Sequence, residues 1–255
     1  MLRNWFNATA IAFMFLTRLP MPRLKTITPE NEGRALVCFP GVGLVVGLLL
    51  VLVTLGLQDY TSPMVISAII VTLWVAITGS LHLDGLADSA DGWLSGANGE
   101  RALEIMKDPR CGSAAVCAVA CVLLLKFSAL TSLIDQGSGL ALLVVPLISR
   151  SIAPLLFLTT PYANPKGIAL NYIEHAPAYT RYLMGFLLVC SLVIVTWLSS
   201  ASFLASSIVF LMIATVILLL RRMMLQRLSG ITGDTAGATI EISEALLLIG
   251  FTVIL

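Results

Sequence analysis

LHLDGLADSADGWLSG (81–96) is the stretch on which the reading of this chain turns. It holds one of the two histidines and three of the fourteen acidic residues, and it follows directly on an uncharged apolar run that begins at residue 63. If the segment is helical, Asp84, Asp88 and Asp91 fall at i, i+4 and i+7, on one face. Three carboxylates on one face repel each other unless a cation sits among them. Hard divalent cations such as Mg²⁺ take oxygen ligands, so Asp84, Asp88 and Asp91 are expected to hold Mg²⁺. For His82 the sequence leaves three roles open: a base, a residue that orients a neighbour, or an interface residue.

Working outward, the rest of the chain reads as a mounting in lipid. Of its 255 residues, 58% are hydrophobic and 11% charged, where a soluble domain runs at about 45–50% apolar and about 25% charged. One soluble core does not hide that excess. Seven runs are long and apolar enough to span: 35–57, 63–81, 112–134, 138–160, 182–200, 202–220 and 236–255. The expectation is an all-α integral membrane protein, one polytopic domain over 1–255 with about seven transmembrane helices. Gly41, Gly43 and Gly47 in the first run suit close helix packing. Trp5 to Leu16 is too short to span and lacks a signal-peptide cleavage pattern, so it reads as an interfacial or re-entrant helix. Glu100 to Gly112 alternates charged and apolar residues, as an amphipathic helix at the interface does. The five cysteines form no CxxC pair; all but Cys111 sit in apolar runs and read as small buried hydrophobes, not disulfides. No basic face for nucleic acid is visible at a net charge of +1.

The loops set the orientation. Of fifteen Lys and Arg, all but Lys126 and Arg150 lie in or at the edge of the N-terminus, 82–111, 161–181 and 221–235. The opposite loops, 58–62, 135–137 and 200–201, carry no basic residue. By the positive-inside rule the first set is cytoplasmic, with the N-terminus inside. Chemistry is therefore expected on the cytoplasmic side, since the outer loops are too short to build a site.

Other features join the aspartates. Asp234, in GITGDTAG (230–237), lies on a glycine-rich turn opening the last span, where backbone approaches a ligand closely and a helix N-terminus favours phosphate; a helix cap by Asp234 or Thr235 has the same pattern. Glu241 and Glu244 one turn further, with Lys126 and Arg150 near mid-span, are ionisable groups in hydrocarbon. They read either as structural ion pairs or as the lining of a polar cavity. Lys107 and Arg110, nearest in sequence to the aspartates, are the best candidates to face a phosphate.

Together, TRLPMP (17–22), GRALVCFPGVGLVVG (33–47), GSLHLDGLADSADGWLSG (79–96), RALEIMKDPRCG (101–112), ISRSIAP (148–154) and GITGDTAGATIEISE (230–244) resemble the cobalamin synthase family, the adenosylcobinamide-GDP ribazoletransferases. The resemblance runs in order to residue 244, and between 155 and 228 it is one of hydropathy only. It implies a Mg²⁺-dependent enzyme of the bacterial inner membrane that joins adenosylcobinamide-GDP to α-ribazole or its 5′-phosphate. The products are adenosylcobalamin or its phosphate, and GMP. The implied catalytic set is His82, Asp84, Asp88, Asp91 and Asp234; Lys107, Arg110, Thr232, Gly233 and Arg150 make up the implied substrate-binding set. The partners are the two substrates and the lipid bilayer, with no nucleic acid; a homo-oligomer is left open.

Three rival readings exist, one of them an aspartate-rich polyprenyl transferase, which would want two DDxxD-like motifs where Asp88–Asp91 is only a fragment of one. A CDP-alcohol phosphotransferase also places aspartates on helices at the cytoplasmic face, but its DGxxAR pattern wants an arginine where Asp84-Gly85-Leu86-Ala87-Asp88 has none. A secondary transporter would account for Lys126, Arg150 and the two glutamates, but it usually shows repeats and broken midplane helices, and neither is visible.

Overall fold

The computed structural model describes residues 2–139, 141–164, 167–199 and 202–255. Lys166 and the expected loop 200–201 lie outside the described residues. Every named element is a helix: α1 Leu2–Leu16, α2 Pro29–Leu57, α3 Pro63–Thr78, α4 Leu81–Leu94, α5 Glu100–Ile105, α6 Ser113–Asp135, α7 Ala141–Thr159, α8 Leu170–Glu174, α9 Thr180–Leu198, α10 Phe203–Leu228 and α11 Gly233–Ile254. Helices α2, α6, α7, α9, α10 and α11 are each long and apolar enough to cross a membrane. The remaining expected span, 63–81, is different in kind. Residues 63–94 form two helices, α3 and α4, bent by 88°.

That bend has a local cause. Gly79 and Ser80 both adopt left-handed backbone, with φ of 62° and 59°. The Ser80 N–H donates to the Val75 carbonyl at 3.1 Å and the Gly79 N–H to the Ala76 carbonyl at 3.2 Å, the paired closure of a Schellman motif. Helix α3 thus stops after sixteen residues, and α4 sets off nearly at right angles across the end of the bundle.

Other boundaries shift for equally local reasons. The first span, expected from residue 35, begins as a helix at Pro29, because Pro29 opens α2 with Glu30 and Glu32 in its first turn, a favoured helix start. The amphipathic segment expected over 99–112 is helical only for Glu100–Ile105. Helix α10 runs to Leu228, so Arg221 and Arg222 are helical rather than in a loop. The Arg221 guanidinium donates to the Thr159 carbonyl at 2.6 Å and to Thr160 Oγ1 at 3.0 Å, satisfying the carbonyl end of α7.

Helix α11 is the axis of the molecule, buried along most of its length against α4, α6, α7 and α10. Helix α2 packs most extensively on α7. Cβ atoms at Gly43 and Gly47 would lie 2.3 Å and 2.5 Å from the Pro146 and Leu142 carbonyl oxygens, so only glycine permits that approach. Gly41 faces open space instead and plays no part in the contact. Helix α1 lies on α2 through Ala8, Ile11 and Ala12. The cysteines are free, as expected, but Cys117 and Cys121 are exposed on the surface of α6 and Cys38 and Cys190 half-buried, so none is a core residue.

Candidate active site

Helix α4 is amphipathic in the way its sequence requires. His82, Leu83, Gly85, Leu86, Ser89, Ala90, Gly92 and Trp93 are buried, while Asp84 is exposed and Asp88 and Asp91 are half-buried. The face opposite the aspartates presses on the start of α11. A Cβ at Gly85 would meet the Asp234 carbonyl oxygen at 2.6 Å, so this glycine lets α4 bring its carboxylates beside Asp234. A parallel bridge between Tyr162 and Ile231, with Ala163 N–H to Ile231 O at 2.9 Å and Ile231 N–H to Pro161 O at 2.8 Å, fixes the approach to α11 from the other side.

Asp84, Asp88, Asp91 and Asp234 line one cleft of about 380 Å³, with Lys107 and Arg110 on its wall. Burial, and then the charges of Asp84, Asp234 and Asp91, push the Asp88 carboxyl up to about 7. The three neighbouring carboxylates thus add to burial in favouring the protonated form of Asp88.

They are not equivalent. Both Asp91 oxygens are engaged, accepting from the Gly112 N–H at 2.7 Å and the Ala115 N–H at 3.0 Å. Asp91 thus caps the N-terminus of α6 from a neighbouring helix. No three His, Cys, Asp or Glu side chains among the described residues are grouped to hold a metal, and within the expected set of Asp84, Asp88 and Asp91 it is Asp91 whose oxygens already accept backbone N–H groups. Asp84, Asp88 and Asp234 are the carboxylates left for a ligand. Hard oxygen donors in this arrangement suit Mg²⁺, which commonly takes one or two carboxylates and completes its shell with water and phosphate.

A second cavity, of about 440 Å³, adjoins the first and shares Asp84, Met106, Lys107 and Asp234 with it. Its walls are mainly apolar, with Phe15, Phe39, Phe157 and Ile240 among them. His82, 3% exposed, lines it. Neither ring nitrogen of His82 has a hydrogen-bond partner, and burial, followed by the charges of Arg150 and Lys126, holds its pKa well below the ordinary imidazole value.

The expected substrate-binding residues divide. Lys107 lines both cavities. Arg110 is at the cleft but donates to Asp108 at 2.7 and 3.0 Å, with its side chain 88% exposed. Thr232 and Gly233 line the apolar cavity, yet the Thr232 hydroxyl already caps α11 in a reciprocal box with Thr235, so the cap is Thr232 rather than Asp234 or Thr235. Arg150 is a correction. It lines neither cavity and is 1% exposed, paired with Glu244 and donating to Ser149 Oγ at 2.8 Å. Lys126 joins Glu241, at 2.6 Å, to Glu244 and lies 4.8 Å from the Trp74 ring centroid. These four charges are structural ion pairs.

Arg18 and Tyr162, which line the apolar cavity, were not anticipated. Arg18 stands in the TRLPMP block but counted only among the basic residues on the N-terminal side. Tyr162 had no signal beyond its place in a polar loop.

Comparison with known proteins follows the same line. The family model described as cobalamin-5-phosphate synthase matches residues 8–252. A protein of Pseudomonas aeruginosa named adenosylcobinamide-GDP ribazoletransferase is 43% identical over 250 residues, 97% of this chain and 98% of its own. Proteins of the same name from Pseudomonas putida and Stutzerimonas stutzeri are 45% identical over 243 and 244 residues, each covering 94% of this chain and 96% and 95% of their own. No solved structure matches.

Proposed function

The chain belongs to the cobalamin-5-phosphate synthase family, and from that premise we propose how its two joined cavities carry out the reaction. The protein is a multi-pass membrane transferase of cobalamin synthesis, joining adenosylcobinamide-GDP to α-ribazole or its 5′-phosphate with release of GMP. A ribose hydroxyl attacks the phosphorus that bears the cobinamide. A new oxygen–phosphorus bond forms, the bond to the GMP oxygen breaks, and the hydroxyl proton leaves to a carboxylate.

The observation that carries this reading is the position of Asp84, Lys107 and Asp234, shared by an acidic cleft and an apolar cavity. A displacement at phosphorus needs a donor on one side of the reacting atom and an acceptor on the other, and catalysis is mainly positioning and charge neutralisation. Asp84, Asp88 and Asp234 are the carboxylates that would hold Mg²⁺ in the cleft, and the ion would supply positive charge against the pyrophosphate. Lys107 adds a point charge where the phosphates cross between the cavities. Asp84 or Asp234, at the junction, takes the hydroxyl proton. Asp91 acts by fixing α4 to α6.

The face carrying the site is the cytoplasmic one, with the N-terminus inside, as the concentration of Lys and Arg in its loops supports. The test is Asp88→Asn in purified protein in lipid, assayed for GMP release with and without Mg²⁺. Turnover falls at least about a thousandfold with the protein still folded. Retained turnover overturns the assignment.

A further inference from the structure

The apolar cavity needs an occupant, and His82 limits what it is. Both its ring nitrogens are buried without partners, and a buried polar group in that state costs free energy unless something bonds it. A neutral imidazole presents one N–H donor and one acceptor. The other buried polar groups on the wall are already used. Thr78 Oγ1 donates to the Trp74 carbonyl at 3.1 Å, and Thr232 and Thr235 bond each other.

We infer that this cavity is the acceptor-base site, in which the flat aromatic base of the ribazole is enclosed and its free ring nitrogen accepts a hydrogen bond from His82. This rests on the reaction assigned above. Size and polarity both favour the base. About 440 Å³ sits at the low end of the ~300–1,000 Å³ range of small-molecule pockets. It takes a nucleoside-sized group, whereas a corrin with its amide arms is several times larger. Guanine would bring several donors and acceptors into a mainly apolar wall whose buried side chains offer one unpartnered imidazole, leaving most unpaired there. A benzimidazole brings an apolar body and one acceptor. With the base inside, its ribose lies towards Asp84, Lys107 and Asp234, where the hydroxyl meets the phosphorus.

The geometry at His82 is held closely. A Cβ at Gly237 would come 3.3 Å from the His82 Cα, so α11 and α4 together fix the ring's starting point. Ile168, 80% exposed, also lines the cavity and marks its open end.

The experiment uses the full chain in lipid nanodiscs, with steady-state KM measured separately for α-ribazole and for the corrinoid-GDP, and direct binding of labelled α-ribazole without the donor. His82→Phe raises the α-ribazole KM and Kd at least tenfold and leaves the donor KM within twofold. His82→Asn, which keeps an N–H, recovers most of that loss. Ile168→Trp, at the exposed end, raises the acceptor KM by severalfold and decides the matter if His82→Phe does not fold. A shift confined to the donor KM, or no shift in ribazole binding, overturns the cavity assignment while wild-type turnover leaves the reaction standing. Absence of wild-type turnover with both substrates would instead strike the reaction itself.

Discussion

Two groups of charges in this molecule have opposite fates. In the membrane interior, Glu241, Glu244, Lys126 and Arg150 join α6, α7 and α11 in direct ion pairs, two carboxylates against two cations. At the end of the bundle, Asp84, Asp88 and Asp234 face a cleft where Lys107 and Arg110 are the cations, and Arg110 is paired with Asp108. The first group is compensated by the protein. The second is left short of positive charge, as a site is that binds its cation with the substrate. A chain in lipid completes the pairing of the charges that hold it together, and leaves unbalanced the ones it uses.

The comparison breaks if the two groups respond alike to neutralisation. Asp84→Asn should lower turnover by about a hundredfold to a thousandfold, ~3–4 kcal/mol of transition-state stabilisation, with an unaltered unfolding midpoint. Lys126→Met should do the reverse. It strands the buried Glu241 and leaves Glu244 with Arg150 alone, and breaking such a pair costs about 3–5 kcal/mol, so the protein unfolds or accumulates poorly. Lys126→Met with Glu241→Gln removes the stranded charge and recovers part of the loss. Thermal unfolding of solubilised protein beside GMP release separates the two behaviours. Equal loss of stability at both positions would remove the distinction.

The sequence made the first group hard to read and the second easy. Asp84, Asp88 and Asp91 announce themselves by helical spacing in an apolar setting, and the helix exposes that face. Spacing says which side chains share a face, not which backbone donors lie opposite; Asp91 was therefore read as a ligand, although the N–H groups of Gly112 and Ala115, over twenty residues away, take its oxygens. Arg150 failed for a related reason. A cation among apolar residues looks functional until its partner, here Glu244 on another helix, is placed beside it. Hydropathy located the membrane segments well, since length and composition decide them. It carried the second span to residue 81, past the break at Gly79–Ser80, where dihedral angles rather than apolarity end α3 at Thr78. The apolar cavity was invisible because its walls come from both ends of the chain.

Acid titration sharpens the comparison. In the folded protein without divalent cation Asp88 holds its proton up to about pH 7, against the ordinary 3.8 of an unhindered carboxyl. The folded state therefore binds more protons than the unfolded one between those values. The stability contributed is fully present below the unfolded pKa and lost as pH rises through about 7. The apparent unfolding temperature in EDTA should fall over that window. Added Mg²⁺ at high pH should raise it again, because a cation replaces the proton between Asp88 and its neighbours. Asp88→Asn should abolish both the slope and the Mg²⁺ effect. A slope that survives this substitution would place the titration elsewhere.

The smallest effect is expected at Arg110, although it lies at the cleft and was expected to hold phosphate. Its hydrogen bonds to Asp108 pull that carboxyl down to about 2, so the pair stays ionised across any working pH: a depressed folded pKa contributes stability above the unfolded value and loses it only as pH falls through about 2. The pair is open to solvent on the arginine side, and solvent screening leaves exposed pairs little weight in stability. Arg110→Ala should leave stability unchanged and raise the donor KM by no more than about threefold, whereas Lys107→Ala, at the junction of the two cavities, should raise it by tenfold or more. If Arg110→Ala matched Lys107→Ala, the guanidinium would have to leave Asp108 for the phosphates when the donor binds. Arg110 would then count among the charges used in the reaction, and Asp108 would be the residue that holds it ready.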